Sequence, residues 1–458
     1  MMQNFDTIAA IATPAGTGAI AIVRLSGPDS VNIADQIFQG SQSIKGISGQ
    51  SVIYGKIVEP QSKNIVDDVV VLKFMSPASY TGQDIVEIHC HGGQYVVCKI
   101  LKLVLQLGAR PADPGEFTRR AFINGKMDLV QAESVGDIIQ AQTEKSLFLS
   151  HQQLEGQLSQ TLSGLQKKLR EQCGLLELEL DFSEDDVEFT SRSSILEKIS
   201  ELRSHLKKLA DTFQYGRIVR EGAHLVIVGA PNVGKSSILN RFLDKDRAIV
   251  TSTPGTTRDT IEESLDLDGQ LFRVSDTAGL RTTEDHIEKE GVERTHKQIE
   301  QADILLFVID PTTPDYEKEC GYFHNSLSDK AIKKLVINKI DIAEQKTLDQ
   351  IKNTHKNAFY VSAKTGQGFD DLKQGITSLF NYQIPDESAI ITKMRHVNAV
   401  KKTIEKLTHA EKSLRQDYSP EFVAMDLRHA LDELSTLTGR VTTDDILNDI
   451  FSTFCIGK

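Results

Sequence analysis

Apolar and polar positions alternate with period two along the N-terminal stretch. Thr7–Thr13, Ala19–Leu25, Val52–Val58, Asp68–Phe74 and Asp84–Cys90 each read as a strand with one face turned inward. Pro14-Ala15-Gly16-Thr17-Gly18 reads as the turn joining the first two. A few helical stretches interrupt the strands, so residues 1–118 predict an α+β domain. From about residue 119 the period lengthens. Leu154, Leu158, Leu162, Leu165, Leu169 and Leu176 fall three, four or seven apart, which is one stripe of a long amphipathic helix. Ile199, Leu202, Leu206, Leu209 and Phe213 make a second stripe. The acidic link between them, Asp181–Glu188, reads as a solvated turn rather than a metal site. Stripes return with Val397, Val400, Ile404, Leu407 and Leu414, then with Leu427, Leu431, Leu434 and Leu437. Thr443-Asp444-Asp445 reads as the cap of a last helix carrying Ile446, Leu447, Ile450 and Phe451. An apolar stripe needs a facing surface. The simplest solution is one all-α helical domain built from 119–215 and 381–458, with 216–380 inserted into it.

The inserted segment, entered through Gly216–Arg220, has a different texture: short apolar runs, each ending in a polar loop. Leu225-Val226-Ile227-Val228 runs into Gly229-Ala230-Pro231-Asn232-Val233-Gly234-Lys235-Ser236-Ser237. This is GxxxxGK[ST] behind a strand, where backbone N–H groups and a helix N-terminus cradle phosphates. Asn232, Val233, Gly234, Lys235, Ser236 and Ser237 would line that cradle, with Lys235 on the terminal phosphates and Ser236 on Mg²⁺. Leu271-Phe272-Arg273-Val274 precedes Asp276-Thr277-Ala278-Gly279, a DxxG element that supports Mg²⁺ and senses the terminal phosphate. Leu335-Val336-Ile337 precedes Asn338-Lys339-Ile340-Asp341, an NKxD element whose carboxylate at Asp341 can accept from guanine N1–H and its 2-amino group. Phe359-Tyr360-Val361 precedes Ser362, Ala363 and Lys364, a loop that backs the base. Thr251, Ser252, Thr253, Pro254, Gly255, Thr256 and Thr257 stand where a switch loop closes over the metal. Singly these are ordinary strand-end turns. In this order and spacing they predict an α/β Ras-like P-loop GTPase. Leu280 occupies the place of the water-orienting Gln of Ras-like enzymes, and leucine cannot hold water. Asn232 and the Thr251–Thr256 stretch could supply oxygens to a monovalent cation. Glu288 could orient the water, or be a solvated helix charge.

Composition narrows the setting. The chain has 458 residues, enough for about three domains. No apolar run is long enough to span a bilayer, and the N-terminus lacks a basic-then-apolar leader. Five scattered cysteines without a CxxC predict free thiols in a reducing cytoplasm. A net charge of −12 means that a nucleic-acid partner must meet a local basic patch. His89-Cys90-His91 has no second ligand pair at metal spacing, so zinc is not expected.

The chain resembles the MnmE family, also called TrmE, the bacterial GTPases of tRNA wobble-uridine modification. In the GTPase segment the likeness rests on GAPNVGKSS at 229–237, TPGTTRD at 253–259, DTAGLR at 276–281 and NKID at 338–341. Outside it the likeness rests on VRLSG at 23–27, YTGQDIVEIHCHGG at 80–93, PGEFTRRAFINGKMDLVQAE at 114–133 and FCIGK at 454–458. A generic GTPase has none of the latter group. The resemblance implies an N-terminal domain that dimerises and binds a tetrahydrofolate derivative, in its 5,10-methylene or 5-formyl form. Arg24, Glu87, Lys126 and Lys458 match the family's folate contacts. Without the family, Arg24 and Lys126 would read as surface charges. Cys455 matches the family's C-terminal cysteine, which the resemblance implies is a catalytic residue of the modification, against the alternative of a buried thiol beside Phe451 and Phe454.

The resemblance also implies G domains that pair across K⁺ held by Asn232, Thr251, Thr253 and Thr256, with Mg²⁺ on Ser236 and Thr257 and water oriented by Glu288. Pro254 inside that loop removes a donor but leaves carbonyl contacts open. The implied partners are a second copy of the chain, tRNA and the FAD-bearing flavoprotein MnmG, in a heterotetramer. The implied product is an aminomethyl or carboxymethylaminomethyl group at C5 of U34. Two other classes fit part of the pattern. An Era-type ribosome-assembly switch shares the phosphate loop, but no KH-type GxxG loop follows between 381 and 458. The other is a folate-dependent aminomethyltransferase that needs no partner.

Overall fold

The computed structural model describes residues 6–181, 191–246, 262–276, 298–314, 316–325, 331–380, 389–416 and 418–458. They form two compact units. One comprises Met1–Ile139, Gln152–Leu202 and Lys402–Lys458, the other Gln140–His151 and Arg203–Lys401.

The first unit is built on a seven-stranded sheet. Its strands are β1 (Ile8–Ile11), β2 (Ile20–Ser26), β3 (Phe38–Gly40), β4 (Ser51–Val58), β5 (Ile65–Phe74), β6 (Ile85–His91) and β7 (Arg110–Pro111). They lie in the order β3-β4-β5-β6-β2-β1-β7. All pairings are antiparallel except β1 with β7. The five strands read from alternation are present within three residues of their expected ends. β3 and β7, three and two residues long, are too short to show a period. Helices Ser30–Ile37 and Gln94–Gln106 cover one face and bury Val23, Leu25, Val71, Val86 and Ile88 beneath them. Successive side chains point to opposite faces, so Arg24, Glu87 and His89 emerge together on the other side. Arg24 and Glu87 are directly opposite in the β2–β6 register.

The leucine stripe needs one correction. Leu158, Leu162, Leu165, Leu169 and Leu176 are buried along a single helix, Gln157–Asp181. Leu154 instead ends a separate helix, Glu144–Leu154, because Gly156 takes φ +88, a left-handed value that stops the first helix. Phe213 likewise opens the helix Phe213–Glu221 rather than completing Arg192–Asp211. Gln157–Asp181 packs against Pro420–Thr438, which buries Leu427, Leu434 and Leu437. Gln166 Nε2 donates to the Leu434 carbonyl at 3.0 Å across that seam. Thr443 caps Asp444–Ser452, accepting from the Ile446 N–H at 3.5 Å. Of the acidic link, residues 182–190 lie outside the described residues.

The second unit holds a six-stranded sheet in the order β13-β12-β11-β8-β10-β9. Its strands are β8 (Ala223–Val228), β9 (Glu262–Leu267), β10 (Gln270–Asp276), β11 (Ile304–Ile309), β12 (Ile332–Ile337) and β13 (Phe359–Tyr360). Only the β9–β10 hairpin is antiparallel. Helices Lys235–Asp246 and Phe369–Thr377 cover one face, Tyr316–Asn325 and Gln345–Thr354 the other. That double cover explains why β11 and the Leu225–Val228 stretch of β8 read as unbroken apolar runs. The α+β domain, the helices and the α/β P-loop fold read from the chain are thus all present. No helix among the described residues is long and apolar enough to cross a membrane.

Candidate functional site

In an open parallel sheet, ligands sit beyond the carboxyl ends of the strands. The loops leaving β8, β11, β12 and β13 carry Gly229–Ser237, Asp310, Asn338–Asp341 and Ser362–Lys364. The phosphate loop turns tightly, with φ +150 at Gly229, +65 at Asn232 and +101 at Gly234. A Cβ on Gly229 would lie 2.3 Å from the Val308 carbonyl, and one on Gly234 would lie 2.2 Å from Asn338 Nδ2. Only glycine fits either position. Val233 is buried, and Ser236 and Ser237 are exposed in the first turn of Lys235–Asp246. That turn holds no acidic residue, so its positive end is open to an anion. Lys235 Nζ donates to the Gly229 and Ala230 carbonyls at 2.9 and 2.8 Å.

Asn338 fastens three loops together. Its Nδ2 donates to the Val233 carbonyl at 2.9 Å, and its Oδ1 accepts from the Ala363 N–H at 3.0 Å. Ser362 Oγ donates to Asp341 Oδ1 at 2.7 Å, which aims the carboxylate while leaving lone pairs for a base. Lys364 is exposed beside them. Lys339 Nζ donates to the Asn232 carbonyl at 2.8 Å and to Asp310 Oδ2 at 2.6 Å. No motif in the chain pointed to Asp310; a strand-end aspartate is too common to stand out. Burial pushes its carboxyl up, but hydrogen bonds from Lys339 and Thr312 outweigh burial and hold it below the usual range. Asp276 ends β10 in register with Ile227 of β8. Thr251, Ser252, Thr253, Pro254, Gly255, Thr256, Thr257, Thr277, Ala278, Gly279, Leu280 and Glu288 lie outside the described residues.

In the first unit, Arg24 Nε donates to Glu87 Oε1 at 2.8 Å, and His89 Nε2 lies 3.3 Å from Glu87 Oε2. The Arg24 guanidinium also donates to the Gly457 carbonyl at 3.2 Å and lies over the Phe117 ring. The FCIGK segment is stitched to the helix Glu116–Ile123 by Phe117 N–H to the Lys458 carbonyl, 3.1 Å. This brings Lys458 to Arg24 and Glu87. Burial, then repulsion from Arg24, lowers the Lys458 ammonium below the usual lysine range, with Glu87 and Cys455 pulling it back. Lys126 is exposed and donates to the Pro77 carbonyl at 3.0 Å; no hydrogen bond joins it to the other three. Cys455 is exposed, which removes the alternative of a buried thiol. Cys90, Cys173 and Cys320 are buried, and burial pushes each thiol up to about 11.

Sequence reading also gave no role to a partly buried ion-pair network built on the same helix, Glu116–Ile123. Arg120 joins Asp6 at 2.6 Å and Glu116 at 2.9 Å, and Arg110 joins Glu116 at 2.6 Å. A cleft of about 1660 Å³ opens against this network, lined by Glu116 and Arg120 together with Arg119, Asn124, Ser159 and Thr442. Arg24, Glu87, Lys126, Cys455 and Lys458 do not line it, although the 114–133 run that marks the family does.

A phosphate loop behind β8, tied through Asn338 to a base-reading strand end, defines a guanine-nucleotide-binding P-loop GTPase fold. A family model described as "GTP-binding protein TrmE N-terminus" matches residues 7–126, and one described as "MnmE helical domain" matches 129–455. The tRNA modification GTPase MnmE of Acetivibrio thermocellus is 40% identical and covers 100% of both chains. Its counterpart in Carboxydothermus hydrogenoformans is 43% identical over 99% of each. Among solved structures, Era of Aquifex aeolicus bound to GDP and aluminium fluoride is 26% identical, covering 40% of this chain and 66% of its own with a TM-score of 0.27. The chain belongs to the MnmE (TrmE) family and is a P-loop GTP hydrolase.

Proposed function

We propose that this GTPase acts in tRNA modification, installing an aminomethyl or carboxymethylaminomethyl group at C5 of the wobble uridine, U34, together with the flavoprotein MnmG. The observation that carries the reading is the end-to-end likeness to the tRNA modification GTPases of Acetivibrio thermocellus and Carboxydothermus hydrogenoformans. The working form is a homodimer in the cytoplasm. Its segments are a folate-binding domain (1–118), a helical domain (119–215 and 381–458) and an inserted G domain (216–380).

Lys235 exchanges its two loop carbonyls for the terminal phosphates of GTP, and the open helix end beneath it receives the charge. Asn232, Val233, Gly234, Ser236 and Ser237 surround the phosphates. Asp341, steadied by Ser362, reads guanine, with Asn338, Lys339, Ala363 and Lys364 around it. Ser236 and Thr257 hold Mg²⁺, backed by Asp276. Asn232, Thr251, Thr253 and Thr256 hold K⁺ between paired G domains, and Glu288 orients water where Leu280 cannot. Hydrolysis works as a conformational switch rather than as the bond-forming step.

Arg24, Glu87, Lys126 and Lys458 hold the tetrahydrofolate derivative. The gathering of Arg24, Glu87 and the partly buried Lys458 at the FCIGK segment supports this, because a ligand with anionic and acceptor groups meets cations there. Bound folate supplies a one-carbon unit, and FAD on MnmG supplies the redox chemistry. Exposed Cys455 is accessible to the substrate. The test is reconstitution with tRNA, MnmG, GTP, FAD and folate. Modified nucleoside should require all of them. Product without MnmG and FAD would indicate a partner-independent aminomethyltransferase. GTP turnover with no product would indicate a switch with another target.

A further inference from the structure

Among the described residues only Lys63, Asn232, Asp268 and Lys339 combine a side chain with a left-handed φ. Two of these four meet in one hydrogen bond. Lys339, at φ +60, reaches from the base-reading loop to the carbonyl of Asn232, at φ +65 in the phosphate loop. Bonds of this kind do not hold a lysine stem by themselves, because its ammonium is flexible and strongly hydrated. The same ammonium is gripped by Asp310 Oδ2 at 2.6 Å, and Asp310 is itself buried. The other oxygen, Oδ1, accepts from the Thr312 N–H at 2.9 Å and Thr312 Oγ1 at 2.6 Å. One carboxylate therefore fixes its own loop with one oxygen and aims Lys339 with the other.

We propose that Asp310 is a positioning residue for nucleotide binding. It acts through Lys339 to lock the phosphate loop to the guanine-reading loop before nucleotide arrives, so that one ligand engages both halves at once. The two-oxygen geometry makes the proposal separable from a structural role. Asp310→Asn can keep Oδ1 on Thr312 while presenting an amide donor to the Lys339 ammonium. Thr312→Val removes a bond to Oδ1 and leaves the Lys339 arm intact.

The experiment measures the affinity and dissociation rate of a fluorescent GDP analogue on the full chain. Asp310→Asn should weaken binding about ten- to hundredfold, the range for a hydrogen bond between charged groups. Thr312→Val should stay within about threefold of the parent. On a Lys339→Met background, Asp310→Asn should add less than about twofold, since its arm has no target left. The preference for GTP over ITP should be unchanged, because Asp341 sets it. Asp310→Ser, which also withdraws the charge, closes the same cycle if the Asn variant melts early. Parent-like binding in both Asp310 variants would overturn the proposal. So would an undiminished loss on the Lys339→Met background, or a Thr312→Val defect as large as that of Asp310→Asn.

Discussion

At the scale of single residues, the nucleotide site rests on a few positions where geometry leaves no alternative. Gly234→Ala would need φ +101 and a Cβ 2.2 Å from Asn338 Nδ2. It should abolish measurable nucleotide binding by equilibrium fluorescence while the chain remains folded. Asp341→Asn should exchange guanine for xanthine preference, since an amide N–H meets the xanthine 2-oxo group where a carboxylate met the guanine amino group. Turnover of GTP and XTP compared side by side reads this directly. These residues were legible because their motifs follow apolar strands at fixed spacing. Asp310 was not, because its role exists only once β11 and β12 lie side by side and carry it next to Lys339. The same holds for Glu116 and Arg120: the PGEFTRRAF run marks the family, but their pairing with Asp6 and Arg110 needs the folded chain.

At the scale of elements, alternation and helical period located the longer strands and stripes, and failed where the pattern continues through a break. Leu154 keeps the leucine spacing although Gly156 has already ended its helix. Caps were easier to read, because Thr443 needs only its own next turn. Thr443→Ala should cost about 1 kcal/mol in chemical denaturation. The helix Glu116–Ile123 depends on more distant partners. Burial pushes the carboxyls of Asp6 and Glu116 up, but hydrogen bonds from Arg110 and Arg120 outweigh it and hold both below their usual range. Groups depressed in the folded state stabilise it above their unfolded values, near pH 4, and that stability fades as pH falls through the folded values. Melting temperature should therefore be level above about pH 5 and drop below about pH 4. Glu116→Gln should flatten that drop and cost about 1–3 kcal/mol at neutral pH, because it leaves the buried Arg120 guanidinium with Asp6 as its remaining carboxylate while Arg110 is partly solvated.

At the scale of the whole molecule, a GTPase and a cluster of Arg24, Glu87 and Lys458 share one chain of 458 residues. The proposed K⁺ finger makes cation identity a test of the GTPase. Replacing Na⁺ by K⁺ at equal ionic strength should raise GTP turnover at least about tenfold, the scale of one well-placed transition-state charge. Equal rates would remove the cation from the mechanism. Glu288→Ala should leave nucleotide affinity nearly intact and lower turnover, the signature of a transition-state role. The central claim is that the nucleotide switch serves tRNA modification. Its most direct test is mass spectrometry of nucleosides from bulk tRNA, in cells lacking the gene and resupplied with either the parent chain or Gly234→Ala. The C5-substituted wobble uridines should vanish on deletion, return with the parent chain and stay absent with the variant. An unchanged nucleoside profile on deletion, or full recovery with Gly234→Ala, would contradict it.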